Sequence, residues 1–233
     1  FTLVINKKTL TASASASNKT YDGGVSATVT LTFSGLIGSE TLGQSVSSTF
    51  SDENVGTGIT VTVNSITLSD GTNGGLANNY SISSGQTTTA NITAKSVTVS
   101  GITASNKTYD ASTSATVDVS SASFSGIVSG DNLSVSASGV FDNANVGTGK
   151  TVTLTSSYSG DDVNNYSITD QASTTANVTQ KALTATASAS NKSYDAATTA
   201  TVTLTFSGLI GSETLGQSVS ATFSDKNVGT GKT

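Results

Sequence analysis

Tyrosines, carboxylates and carboxamides dominate the side chains able to bind or react in this sequence, because Cys, His, Met and Trp are all absent. That absence removes thiol chemistry, disulfides, imidazole acid–base catalysis and Cys/His zinc sites. Oxygen donors of the kind that hold Ca²⁺ gather at Asp142, Asn143 and Asn145 and at Asp161, Asp162 and Asn164. The corresponding earlier regions carry Ser51, Asp52 and Glu53, and Asp70 and Asn73. Neither spacing is that of an EF-hand loop, and the same residues serve ordinary Asx turns, so calcium stays open as a cofactor and none is required. Glycoside hydrolysis needs two carboxyl groups facing each other across a cleft. Sparse acids without His offer no such pair, so the expectation is a protein that is not an enzyme and has no catalytic residues.

Tyr-Asp occurs at Tyr21–Asp22, Tyr109–Asp110 and Tyr194–Asp195. A tyrosine beside a carboxylate can stack on a sugar ring. The same pair can instead end a strand, with the phenol reaching a backbone group, the ring in the core and Asp capping the next turn through downstream N–H groups. The second reading is preferred, and Tyr80, Tyr166, Phe33, Phe50, Phe124 and Phe141 are read as core in the same way.

These residues sit in a repeat. ASNKTYD at 16–22 returns at 104–110 and as ASNKSYD at 189–195. The tyrosines are 88 and 85 residues apart (109 − 21, 194 − 109), the length of a small domain and far above solenoid periods. NVGTG recurs at Asn54, Asn145 and Asn227, and NNYSI at Asn78 and Asn164. The organisation expected is a closing strand of a preceding repeat at 1–8, repeat 1 at 9–95, repeat 2 at 96–181 and a truncated repeat 3 at 182–233. Lys8, Lys95 and Lys181 are followed at once by the next copy, with no flexible linker, so neighbours should be joined stiffly. Residues 10–58 and 183–231 differ at eight positions, which points to recent duplication.

The elements that position these motifs read as strands. ATVTLTF at 27–33 alternates at period two with Val29, Leu31 and Phe33 inward. Further strands are expected at 46–50, 59–68, 80–83 and 88–94, with a bulge near Ser65 where the alternation changes phase. The glycine-punctuated stretch 35–43 is either an irregular connection or one short helical turn. Length differences between repeats place loops or strand ends before Phe124 and around Asp161. The fold class expected is all-β, a tandem array of small Ig-like β-sandwich beads, with β-grasp-like beads using 35–43 as a short helix as the alternative.

A net charge of −5 with 11% charged residues excludes the basic footprint of nucleic-acid binders and polybasic membrane-surface segments. No run of 18 apolar residues suggests membrane insertion of this segment. The sequons at Asn18, Asn106 and Asn191 arise readily in a chain so rich in Asn, Ser and Thr.

Tyr21–Gly23, then NVGTG, then a TVTV-type strand and NNYSI together resemble the YDG repeat of bacterial filamentous-haemagglutinin-type and other large surface adhesins. Ala111 and Ala196 replace the glycine of that motif in the later copies, from which the backbone there is expected not to need positive φ. The resemblance implies an extracellular location, on a bacterial cell surface or secreted, and a structural stalk or fibre that extends a tip. Its partners would be neighbouring repeats. Alternatives are a glycan- or protein-binding adhesin module using the loops 70–79 and 160–165, a calcium-stiffened module, or a filament that self-associates by strand addition through 1–8.

Overall fold

Alternating Ser/Thr and apolar residues, frequent glycine and no 3.6-residue periodicity leave the chain little choice but strands. The computed structural model, which describes residues 1–233, is accordingly all-β, with single turns of 3₁₀ helix at Ala77–Asn79 and Val163–Asn165. Repeat 1 forms β1 (Lys8–Thr9), β2 (Thr11–Ala16), β3 (Lys19–Thr20), β4 (Val29–Ser34), β5 (Leu42–Phe50), β6 (Gly56–Asp70), β7 (Tyr80–Ser81) and β8 (Thr87–Thr93). Repeat 2 forms β9 (Lys95–Ser100), β10 (Thr103–Ala104), β11 (Lys107–Thr108), β12 (Ser114–Ala115), β13 (Val117–Asp118), β14 (Ser123–Ser125), β15 (Ser134–Phe141), β16 (Gly147–Ser159), β17 (Tyr166–Thr169) and β18 (Ser173–Thr179). Repeat 3 contributes β19 (Thr184–Ala189), β20 (Thr199–Ala200), β21 (Val202–Ser207) and β22 (Ala221–Thr222).

Each full repeat divides its strands between a small sheet and a large one. In repeat 1 the first stretch of strand pairs antiparallel through β2 with β4 and parallel through β1 with β7. Repeat 2 makes the same arrangement as one sheet, β14-β9-β17. The large sheets run β3-β8-β6-β5 and β11-β18-β16-β15-β12. Both are mixed, because β3 and β11 pair parallel to β8 and β18 while the long strands pair antiparallel.

The core of the first unit is built from two different repeats. Tyr21, Phe50, Val61, Ala90 and Ile92 from the large sheet of repeat 1 pack with Val97 and Tyr166 from the small sheet of repeat 2. Phe124, Ile127, Val128, Leu133 and Ile168, all from repeat 2, close over them. The compact units follow this packing. One comprises Phe1–Gly101, Val119–Ser136 and Ser156–Gln171; the other comprises Ile102–Asp118, Ala137–Thr155 and Ala172–Thr233. The second again combines the large sheet of one repeat with strands of the next. Sequence period and packing unit are therefore out of phase.

Several expectations change in detail. The phase change near Ser65 is a bulge: Ser47 pairs with Ser65 and Ser48 with Val63, leaving Asn64 as the extra residue. β5 and β6 extend beyond the stretches read from alternation, reaching back to Leu42 and on to Asp70. The stretch 35–43 contains no helix; Glu40 N–H closes a turn on the Ile37 carbonyl, and Leu42 and Gly43 already belong to β5. Residues 1–7 form no strand, and Phe1, Leu3, Val4 and Ile5 lie exposed, because strand hydrogen bonds need a neighbouring edge.

Candidate functional site

The recurring heptad is consumed by local structure. Asn18 Oδ1 accepts the Asn91 N–H at 2.7 Å, and Asn106 accepts that of Asn177 at 2.7 Å, tying the heptad to β8 and β18. Lys19 bonds Asp22 at 2.6 Å and the Gly24 carbonyl, and its ammonium lies 5.6 Å from the Phe50 ring centroid. Lys107 over Phe141 and Lys192 over Phe223 repeat the arrangement at 5.5 and 5.6 Å. Asp22, Asp110 and Asp195 each accept the N–H two residues on, as Asx turns. The lysine hydrogen bond is the main reason all three carboxyls are held below their ordinary range.

That turn drives the following residue into the left-handed region in every copy: Gly23 has φ 76°, Ala111 φ 62° and Ala196 φ 62°. The replacement of glycine by alanine thus does not mark a relaxed backbone; the Asx turn imposes positive φ on whichever residue is there. Left-handed backbone costs an L-residue about 1–2 kcal/mol. Ala111→Gly should therefore stabilise the second unit by about 0.5–1 kcal/mol, after about 0.4–1 kcal/mol is lost to the freer unfolded chain. A higher denaturant midpoint at unchanged slope is the expected result. Gly23→Ala should destabilise, since its Cβ would also stand 3.0 Å from Val128 Cγ1.

The phenol of the heptad does not reach a backbone group, as the sequence suggested, but a carboxylate of the next repeat. Tyr21 OH donates to Asp131 Oδ2 at 2.9 Å, and Tyr166 OH donates to the same oxygen at 2.5 Å while accepting the Val128 N–H at 2.9 Å. The two rings meet edge to face with centroids 5.5 Å apart, a favoured aromatic geometry. Tyr21 and Tyr166 are 4% and 7% exposed, which leaves no ring face for a sugar. The same parts recur. Tyr80 OH donates to Glu40 and accepts the Ile37 N–H at 3.1 Å, and Tyr109 OH donates to Glu213. Glu40, Asp131 and Glu213 occupy corresponding positions in the three repeats, and no sequence argument had singled them out.

A second contact joins NVGTG to NNYSI of the following repeat. Val55 N–H donates to Asn165 Oδ1 at 2.9 Å, and Asn165 Nδ2 donates to Asn54 Oδ1 at 2.9 Å. Asn165 is 3% exposed. The glycines of NVGTG shape this turn: Gly58 at φ 64° sits where the β6–β8 register shifts, and its N–H donates to Asn91 Oδ1 at 2.8 Å. The loop 160–165, named as a contact under the alternative of a binding module, therefore ends in a buried residue that bonds to the preceding repeat.

Burial, then the hydrogen bond to Asp131, pushes the Tyr21 phenol up, and the same causes push Tyr166 up to about 12. Hydrogen bonds to Glu40 and Glu213 raise Tyr80 and Tyr109. A free phenol titrates near about 10. A folded value raised above the unfolded one gives stability that is intact below about pH 10 and lost as pH rises through the folded value. Unfolding free energy should thus fall between about pH 10 and 12, and Tyr166→Phe should flatten that fall in a urea titration. A pH-independent stability across this window would contradict the assignment.

Several of the oxygens read for calcium accept hydrogen bonds from the protein itself. Lys150 Nζ lies 2.8 Å from Asp142 Oδ1 and 2.8 Å from Asn143 Oδ1, holding the Asp142 carboxyl low. Asn145 N–H donates to Asn143 Oδ1, and Asp162 Oδ2 accepts the Asn132 N–H. Asp52 caps Asn54, and Asp70 Oδ1 accepts the Ala77 N–H. Asn73 Nδ2 donates to the Ser39 carbonyl.

The sequence matches the YDG domain over residues 6–90, 93–176 and 179–233. The chain belongs to the YDG domain family. No curated protein and no solved structure matches it. In these YDG repeats Tyr21, Asn54 and Val55 of repeat 1 and Tyr109 of repeat 2 bond to the following repeat, whereas Tyr80 bonds within its own repeat and Tyr194 stays 62% exposed.

Proposed function

We propose that this chain is a structural segment of an extracellular bacterial adhesin, a stalk or fibre whose repeats carry a tip away from the surface or build a filament. The observation that supports this reading is the placement of the recurring motifs. Tyr21, Asn54 and Val55 of one repeat engage Asp131, Asn165 and Tyr166 of the next, so sequence recurrence serves joining rather than a ligand. A low-charge Ser/Thr surface suits a spacer, because it stays hydrated without recruiting charged partners.

Junctions made of packed core and buried hydrogen bonds resist bending and pulling more than flexible linkers do. The work assigned to the protein is mechanical, and no side chain is given a catalytic role. The test pairs location with mechanics. Antibody raised against the chain should label intact cells of the source organism. Pulling on the chain should give discrete unfolding steps with no compliant linker between them. Labelling only after lysis, or a soft extension before any step, would sink the proposal.

A further inference from the structure

The heptad contributes only two residues of strand to each large sheet, Lys19–Thr20 as β3 and Lys107–Thr108 as β11. In chain order β3 is the first strand of its sheet and β8 the last, and β11 and β18 hold the same places in repeat 2. First and last strand lie side by side and parallel. Lys19 and Thr20 stand beside Ile92 and Thr93, and Lys107 and Thr108 beside Val178 and Thr179. Further hydrogen bonds extend this short ladder. Asn18 Oδ1 accepts the Asn91 N–H at 2.7 Å, Tyr21 N–H donates to the Thr93 carbonyl at 2.9 Å, and Thr93 Oγ1 donates to the Lys19 carbonyl at 3.2 Å. Repeat 2 reproduces all three, with Asn106 and Asn177 at 2.7 Å, Tyr109 and Thr179 at 2.8 Å, and Thr179 and Lys107 at 3.2 Å.

The place of this pair in the chain gives it a mechanical meaning. Asn18 and Asn91 are 73 residues apart and Asn106 and Asn177 are 71 apart, yet each couple is joined by one hydrogen bond. β8 passes into β9 with Ala94 alone between them, and β9 leads on to the heptad of repeat 2. Tension reaching Asn18 along the backbone can therefore cross the parallel pair to Asn91–Thr93 and continue covalently, leaving the strands in between outside the load path. Pulling the start of one strand against the end of its parallel neighbour directs the force along the strands, so the bonds between them share it and must fail together. Antiparallel strands pulled apart at one end are loaded along their hydrogen bonds, which lie perpendicular to the strands, and these fail one after another.

We propose that the heptad strand is the force-bearing latch of each repeat, fastened to the last strand by Asn18 and Thr93 in repeat 1 and by Asn106 and Thr179 in repeat 2. Lys19 over Phe50 and Lys107 over Phe141 anchor the latch strand to β5 and β15. This gives the recurrence of Asn-Lys-Thr-Tyr a purpose that neither a ligand nor the Asx turn supplies. The inference deepens the stalk reading and takes its biological purpose from it, while the latch itself is measured on the chain alone.

The chain contains no cysteine, so paired cysteine substitutions fix where force is applied to the full chain. Ser17→Cys with Ala94→Cys loads the β3–β8 pair along its strands. Ser45→Cys with Thr67→Cys, exposed partners across β5 and β6, opens the same sheet by unzipping its edge strand. At one constant force the first pair should unfold at least about tenfold more slowly than the second, because forced unfolding is governed by the unfolding barrier. Asn18→Ala should speed unfolding from the first pair by about fivefold, the effect of one hydrogen bond, and leave the second pair unchanged. Thr93→Val, which keeps the bulk of an exposed side chain, should act in the same direction. Equal rates in the two geometries, or an Asn18→Ala effect of the same size in both, would overturn the latch. Direction-dependent resistance in a chain that antibody finds only inside lysed cells would remove the stalk and leave the latch standing.

Discussion

Replacing Tyr21 with alanine is expected to lower the stability of the first unit by about 3–5 kcal/mol, the range for truncating a buried aromatic. Its consequences should appear in the second repeat. Tyr21 is numbered within repeat 1, but its ring leans on Tyr166 and its hydroxyl binds Asp131, both from repeat 2. Strands β9, β14 and β17 should therefore lose protection together with β6 and β8. Tyr21→Phe keeps the packing and removes the charge-assisted hydrogen bond, so it should cost less, about 1.5–3 kcal/mol. A scan of both variants by urea denaturation separates ring burial from the phenol. Equal effects of Phe and Ala would mean that the hydroxyl, not the ring, carries the contact.

Asn165→Ala should cost about 2–3 kcal/mol, while the same change at Asn79 should stay within about 0.5 kcal/mol. The two asparagines hold the same place in the NNYSI motif, yet Asn165 is 3% exposed and Asn79 is open to solvent. Asn165 completes two hydrogen bonds to the preceding repeat, and truncation leaves the Val55 N–H and Asn54 Oδ1 without that partner. Because the motif is shared, intrinsic propensity cancels in the comparison. Any difference measures the clasp alone. Matched losses at both sites would show that the asparagine serves its own turn.

The sequence carried the strands and the repeat but not the pairing between repeats. Alternation in 27–33 marks β4, and the phase change near Ser65 marks the bulge at Asn64, because a two-residue period reports directly which face is buried. Length changes before Phe124 and around Asp161 fell at turns, where backbone pairing does not fix the count. Asp22 capping its turn was also legible, since an Asx turn is a local interaction.

Contacts between copies were hidden for a different reason. A tandem sequence is unchanged when each side chain is reassigned to the equivalent residue one repeat away. Tyr21 might equally have met Glu40 in its own repeat, and only the packing selects Asp131, 110 residues on. The acidic residue at Glu40, Asp131 and Glu213 was a usable signal, as a carboxylate kept at one position of an otherwise neutral loop. The positive φ of Ala111 was misread because replacement of glycine was weighed without the Asx turn that sets the backbone.

Native-state hydrogen exchange across low urea concentrations tests the central claim most directly, using the unmodified chain. Amides of β6 and β8 should merge into one opening isotherm with those of β9, β14 and β17, while β11, β16 over residues 147–155 and β18 follow a separate one. Isotherms that instead grouped 9–95 apart from 96–181 would show that each repeat folds on its own core, and would contradict the account.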